Sequence, residues 1–216
     1  MYFTFAWRYF KAKKSANAIN IIAWVTVGVI AFATCCQVLV LSVFNGFEDL
    51  VKSLYSSFYS DIKIVPATGK TFILTAEQIA SIKNQPAVAA FSMIAEDKAL
   101  LKNYDARTRV YLKGVDDNNI KVSGAAAKTN RGKYFTGTTE DPYLVAGSGI
   151  QSATSLNLDP ALQGNDITII LPKKNSLDND PLKSISEGFI KAAGSFTIQQ
   201  DFDDNYAITN IGFVKQ

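Results

Sequence analysis

Apolar and polar positions divide this chain into two unlike parts. Residues 15–47 contain no charged side chain, an unbroken run of 33. About 20 helical residues cross a bilayer core about 30 Å thick. The densest part, 19–44, would reach about 39 Å at 1.5 Å per residue. The run therefore predicts a transmembrane helix that either tilts or continues a turn or two beyond the membrane. Past Glu48 the apolar positions fall into short periodic groups between polar turns, the pattern of a domain folded in water.

Leu50, Val51, Leu54, Tyr55 and Phe58 recur at helical spacing, so the helix should continue to about Phe58. A strand over 61–65 is expected next. A helix then opens on the capping-box pattern Thr75-Ala76-Glu77-Gln78, with Ile79, Ile82 and Val88 as its apolar face. Strands are predicted over 91–95, 99–102 and 107–112, the last two parted by Asn103-Tyr104-Asp105. Residues 118–141 read mostly as loop. A strand over 143–146, a helix over 148–156 and strands over 166–171, 189–198 and 207–213 complete the series. Strands and helices mix without a regular βαβ repeat, so the fold class is α+β. The expected organisation is an interfacial segment (1–14), a transmembrane helix (15–47) and an outer domain (48–216). We read that domain as two-lobed, with a strand-rich lobe inserted at about 88–142.

Charge adds a topology. Arg8, Lys11, Lys13 and Lys14 precede the span without a single acid, whereas Glu48 and Asp49 follow it. That bias places the N-terminus in the cytoplasm and the domain outside. Removing those four cations from the net charge of +3 leaves about −1, so the basic pI reports topology and no nucleic-acid footprint. Tyr2, Phe3, Phe5, Trp7, Tyr9 and Phe10 alternate with the cations, a composition suited to a short helix in the headgroup layer. An ordinary juxtamembrane flank is the plainer alternative. A cleaved signal peptide would have an apolar core of only about 7–15 residues, and Phe32 and Thr34 suit neither cleavage nor lipidation at Cys35 or Cys36. Within the span, Ala23, Thr26, Ala33 and Gln37 fall on one stripe, flanked by Gly28 and Ala31, as a partner helix in lipid would require.

Composition also removes functions. The chain has no histidine, which excludes Ser-His-Asp and Cys-His catalysis and the commonest zinc ligand. Both cysteines lie in the membrane run, so the outer domain has neither disulfides nor thiolate metal sites. Ala67-Thr68-Gly69-Lys70-Thr71 resembles the end of a phosphate-binding loop. Ile64 stands where its first glycine belongs, so a turn is the better reading. Asp116-Asp117, Asp178 and Asp180, and Asp201, Asp203 and Asp204 lack calcium-loop spacing and read as solvated turns. No enzyme, cofactor or metal is expected.

Leu41-Ser42-Val43-Phe44-Asn45-Gly46-Phe47-Glu48 resembles the end of the first transmembrane helix of the lipoprotein-releasing ABC permeases of the LolC/LolE type, within the MacB/FtsX-like superfamily. Ala6-Trp7-Arg8-Tyr9-Phe10-Lys11-Ala12-Lys13-Lys14 is similar to that family's opening. Pro86-Ala87-Val88, Lys98-Ala99-Leu100-Leu101, Leu112-Lys113-Gly114-Val115-Asp116 and Leu144-Val145-Ala146-Gly147-Ser148-Gly149-Ile150 follow collinearly. Asp117 stands where the family has proline. Gly164-Asn165-Asp166-Ile167-Thr168, Gly194-Ser195-Phe196 and Tyr206 continue the series.

The resemblance implies an inner-membrane permease half with a MacB-like periplasmic domain. It further implies a cytoplasmic ABC ATPase, a second permease subunit, a periplasmic lipoprotein carrier, lipoprotein cargo and membrane lipids as partners, and no nucleic acid. Relatives on this scaffold move efflux substrates or act in division. The family has three further spans, so the expectation is the N-terminal portion of a longer protein, or a split subunit. The family's carrier-binding loop maps onto Pro172, Lys173, Lys174, Asn175, Ser176, Leu177 and Pro181, with a polar hairpin as the alternative. Leu41, Val43, Phe44, Phe47, Leu50 and Leu54 are candidates for a wall against acyl chains, with plain helix packing as the alternative. A single-span anchored interaction or sensor protein is the competing functional class.

Overall fold

A computed structural model describes residues 2–11, 17–69, 71–159, 167–172 and 185–215. Contacts divide the chain into two units, Met1–Lys52 and Ser53–Gln216. The expected boundary at 47/48 thus falls five residues later, inside a helix.

In the first unit, α1 (Tyr2–Lys11) bears out the helix expected ahead of the span. The long α2 (Asn17–Phe58) continues through Glu48 to Phe58, as its periodicity predicts. Thr26 and Thr34 turn their hydroxyls back onto carbonyls one turn earlier, so these polar side chains are satisfied within the helix. From Ile21 to Leu50 every described residue is exposed except the half-buried Ala23. An exposed apolar surface of that extent needs lipid or protein against it. α2 is long and apolar enough to cross a membrane.

The second unit begins with the last turns of α2. Residues 61–65, expected as a strand, have no ladder partner among the described residues. Next comes α3 (Ala76–Lys83), where Thr75 and Gln78 form the full reciprocal capping box. β1 (Ile94–Asn103) and β2 (Ala106–Val115) make a long antiparallel hairpin, Asn103 facing Ala106 across a two-residue turn. The two strands expected at 91–95 and 99–102 are thus one. One-turn α4 (Asn119–Val122), a 3₁₀ turn (Gly124–Lys128) and β3 (Thr129–Gly132) occupy the stretch read as loop. β4 (Tyr143–Gly147), α5 (Ser148–Thr154), β5 (Ile167–Pro172), β6 (Ile185–Phe196), α6 (Gln200–Asp203), β7 (Tyr206–Asn210) and α7 (Ile211–Val214) follow. The strand expected to run to 213 stops at Asn210, whose side chain accepts from the Gly212 N–H and turns the chain into α7.

The strands lie in one sheet of order β3-β6-β4-β7-β2-β1-β5, and β5 also pairs with β6. That last pairing closes six strands into a ring, with β3 attached outside it. β6 achieves this by length: its first half pairs with β5 and its second half with β4 and β3. β1 and β2, expected within an inserted lobe, take central places in this ring. Leu101, Leu112, Leu144, Ala146, Ile169, Ile190 and Ala207 fill its interior, with side chains drawn from all six strands. Phe213 and Ile150 add to this core. A second cluster lies on the outer face of β4 and β7, where Val145 and Ile208 meet Phe58, Phe196, Ile198 and Phe202. The architecture is α+β: a long apolar helix followed by a mixed domain built on a closed sheet.

Candidate functional site

Of the sites expected from sequence, three lie wholly or partly among described residues. The first is the stripe on α2. At about 100° per residue, Ala23, Thr26, Ala33 and Gln37 share one face of the continuous helix. The Thr26 hydroxyl donates back to the Ile22 carbonyl at 2.8 Å, so it is satisfied within its own helix. The Gln37 amide has no hydrogen-bond partner among the described residues, and it remains the polar group for which a neighbouring helix matters.

The second is the proposed acyl wall, and helical geometry divides it. Val43, Phe47, Leu50 and Leu54 follow one another at i, i+4, i+7 and i+11 and form a single stripe. Leu41 falls on the other side, in line with Gln37, and Phe44 lies between the two, about 60° from Phe47 and close to Gln37 and Ala33. The six residues therefore supply two apolar faces. Phe44, Val43 and Phe47 are each about two-thirds exposed, at 69%, 69% and 64%.

The third is the carrier loop. Pro172 ends β5, is exposed and faces Ile185 at the start of β6. Lys173, Lys174, Asn175, Ser176, Leu177 and Pro181 lie outside the described residues. The two strand ends that flank the loop therefore stand side by side.

Sequence reasoning missed the junction at the end of α2. Phe58 is fully buried, stacked on Phe202 at 4.6 Å and edge-on to Tyr206 at 4.8 Å. Its carbonyl, one of those a helix C-terminus leaves unpaired, accepts from the Lys113 ammonium and the Ser123 hydroxyl, each at 3.3 Å. The Lys113 Nζ also lies 4.2 Å from the centre of the Phe58 ring, a cation–π contact. Burial lowers the Lys113 pKa to about 8, with Glu96 opposing the shift and Lys63 adding to it. Lys113 is on the outward side of β2 by alternation, so local pattern predicts exposure. Only the arrival of α2 buries it.

Asp203 departs from the solvated turn expected of it, and Asp178 and Asp180 lie outside the described residues. Asp203 is buried and accepts from the Ile198 N–H at 2.9 Å. Its pKa is raised by burial, partly offset by hydrogen bonds from the Ile198 and Gln199 backbone and from Ser148, while Asp204 raises it further. Asp116 accepts from the Ser92 hydroxyl and the Met93 N–H. Among the described residues no three His, Cys, Asp or Glu side chains are grouped to hold a metal. The phosphate-loop lookalike has Gly69 at φ +81°, and α3 starts only at Ala76. A phosphate loop delivers its Lys-Thr straight into a helix N-terminus, so the turn reading stands.

One concavity of the domain is an open groove of about 2170 Å³. Ile64, Val65, Phe72 and Ile73 line one side, and Glu96, Tyr111, Lys113 and Val214 line the other. A 3.4 Å ion pair from Lys63 to Glu96 joins the two sides.

No family model matches the chain. Among curated proteins it is similar to the lipoprotein-releasing system transmembrane protein LolC of Neisseria meningitidis serogroup B, with 24% identity over 171 residues. The match covers 78% of this chain and 39% of that protein, so the chain spans about two-fifths of the relative's length. Among solved structures it is similar to the extracellular domain of the noncanonic ABC-type transporter YknZ from Gram-positive bacteria. That likeness has a TM-score of 0.41 at 12% identity and covers 66% of this chain and 65% of the other. The resemblance read from the sequence is thus matched by a curated relative of the same type.

Proposed function

We propose that this chain is the N-terminal part of an ABC-transporter permease subunit that extracts lipoproteins from the inner membrane and passes them to a periplasmic carrier. The observation that carries this reading is the likeness to the LolC protein over 171 residues. It is joined by an α2 whose large apolar side chains between Ile21 and Leu50 are exposed and which is long and apolar enough to cross a membrane. In this reading the cationic N-terminal flank stays in the cytoplasm and the closed-sheet domain works in the periplasm. The Ala23–Gln37 stripe, extended by Leu41 and Phe44, meets a second permease subunit. Val43, Phe47, Leu50 and Leu54 face the acyl chains, where each buried CH₂ contributes about 0.8 kcal/mol. The subunit makes and breaks no bonds, and a separate cytoplasmic ATPase supplies the energy.

The test is lipoprotein release in cells that carry the gene in its natural context. Phe47→Asp should hold palmitate-labelled lipoproteins in the inner membrane, while fractionation finds the variant inserted at wild-type levels. Normal release from an inserted Phe47→Asp protein would refute the acyl-face assignment. Failure of any ATPase to co-purify with the wild-type protein would refute the permease reading itself.

A further inference from the structure

On one outer side of the closed sheet, formed by β1, β2, β5 and β6, the described side chains are half-buried to exposed, and they are not those that stability asks for. Alternation along each strand sends Leu101, Val110, Ile169 and Ile190 inward. Their neighbours Leu100, Lys102, Arg107, Arg109, Ile170 and Phe189 therefore point outward. Register arranges them in two rows. Arg107 faces Lys102, which faces Thr168, which faces Phe189. Arg109 faces Leu100, which faces Ile170, which faces Glu187. Leu100 is 37% exposed and Phe189 62%.

Two features of this face count against the isolated domain. Lys102 and Arg107 are directly opposed like charges, an arrangement that weakens a strand pair. Lys102, Arg107 and Arg109 also form no ion pair with any described residue. Three apolar side chains lie beside them, Leu100 and Phe189 exposed to water and Ile170 half-buried. Interior packing and the ladder bonds already hold the ring, so these outward residues answer to something outside it.

We propose that the outer face of β1, β2, β5 and β6 is a docking surface for an acidic protein segment that also carries apolar side chains. Charge complementarity sets the partner's sign: carboxylates would relieve the Lys102–Arg107 repulsion and pair with Arg109 in its fork geometry. Leu100, Ile170 and Phe189 set its apolar content. Four strands at about 4.8 Å spacing make a face about 14 Å across, enough for four or five extended residues. Glu187 at the end of the second row favours a protein over an anionic lipid surface, because a uniformly negative plane would repel it. This inference rests on the geometry of the sheet and is independent of the permease reading.

The test uses the whole chain in phosphatidylcholine nanodiscs, with empty nanodiscs as the blank. The probe is a fluorescein-labelled twelve-residue peptide alternating glutamate with leucine and phenylalanine, followed by anisotropy. Saturable binding that weakens with salt is expected, with at least a tenfold loss of affinity in Arg109→Glu and in Lys102→Glu. Lys102→Glu should also raise the thermal midpoint, since it turns a like-charge pair into an opposite one. A merely structural residue would not lose binding while gaining stability. Absent binding, or equal binding by wild type and both variants, overturns the proposal. Phosphatidylglycerol vesicles that bind the face when the peptide does not would also overturn it and assign the face to lipid.

Discussion

Lys113 concentrates the unusual chemistry of this domain in one side chain. In the folded state its pKa is lowered to about 8 from an ordinary 10.5, with burial the largest cause. Between those values the unfolded chain binds more protons than the folded one, so stability must rise with pH across that window. The gain is at most about 3 kcal/mol, taking 1.36 kcal/mol per unit. Tyr134, raised to about 12, and Tyr206, raised further, act with the opposite sign. Unfolded tyrosines ionise near pH 10 while these two stay protonated, so stability falls again above about pH 10. Urea midpoints measured from pH 7 to 11 should therefore peak between about 9 and 10. In Lys113→Met the rising limb should disappear and the falling limb remain. A wild-type midpoint that drops steadily from pH 7.5 would mean that the folded domain does not penalise the charge. Two glycines make a second test at the same scale. A Cβ at Gly147 would strike the Asp203 backbone, which is fixed between α6 and β7, whereas a Cβ at Gly149 would strike the movable Asp204 carboxylate. Gly147→Ala should cost about 1–3 kcal/mol. Gly149→Ala, inside α5, should cost less than about 1 kcal/mol because alanine favours the helix. Equal losses in thermal unfolding would refute that distinction.

At the scale of elements, whatever depends on local pattern was legible. The uncharged run specified α2, the capping box specified the start of α3, and the apolar 143–146 run specified β4. Elements that depend on a distant partner were not. Residues 61–65 read like a strand, yet a strand exists only where another backbone accepts its hydrogen bonds, and no local signal reports that. Residues 96–98 fall between the two strands predicted over 91–95 and 99–102. In the folded chain Lys98 lies over the Tyr111 ring, and β1 runs on unbroken. α4 and α7 span four residues each, too short for a 3.6-residue period to register. The candidate sites divide in the same way. The stripes on α2 follow from helical spacing alone, and the backbone only had to confirm an unbroken helix to split the six acyl-wall candidates into two faces. The Phe58–Lys113 junction was invisible, because it joins residues 55 positions apart.

At the scale of the whole outer domain, closure of the sheet decides how it must unfold. An open sheet with a strand-rich insertion could lose β1 and β2 while β4, β6 and β7 held. In the ring this is excluded: β1 bonds β5, β5 bonds β6, and β2 bonds β7, so removing the hairpin opens the interior from both sides. Leu101 and Leu112 from the hairpin share one core with Leu144, Ile190 and Ala207, and that core would be exposed together. Amide exchange measured against denaturant separates the two cases, because each cooperative unit opens with its own free energy. Amides of Leu101, Leu112, Ile169, Ile190 and Ala207 should converge on a single opening free energy equal to that of global unfolding. Residues 62–66, unpaired and largely exposed, should exchange from the outset. A hairpin that opens well below the global value, with β4 and β6 still protected, would show that the β5–β6 pairing does not hold in solution and would restore the two-lobed arrangement.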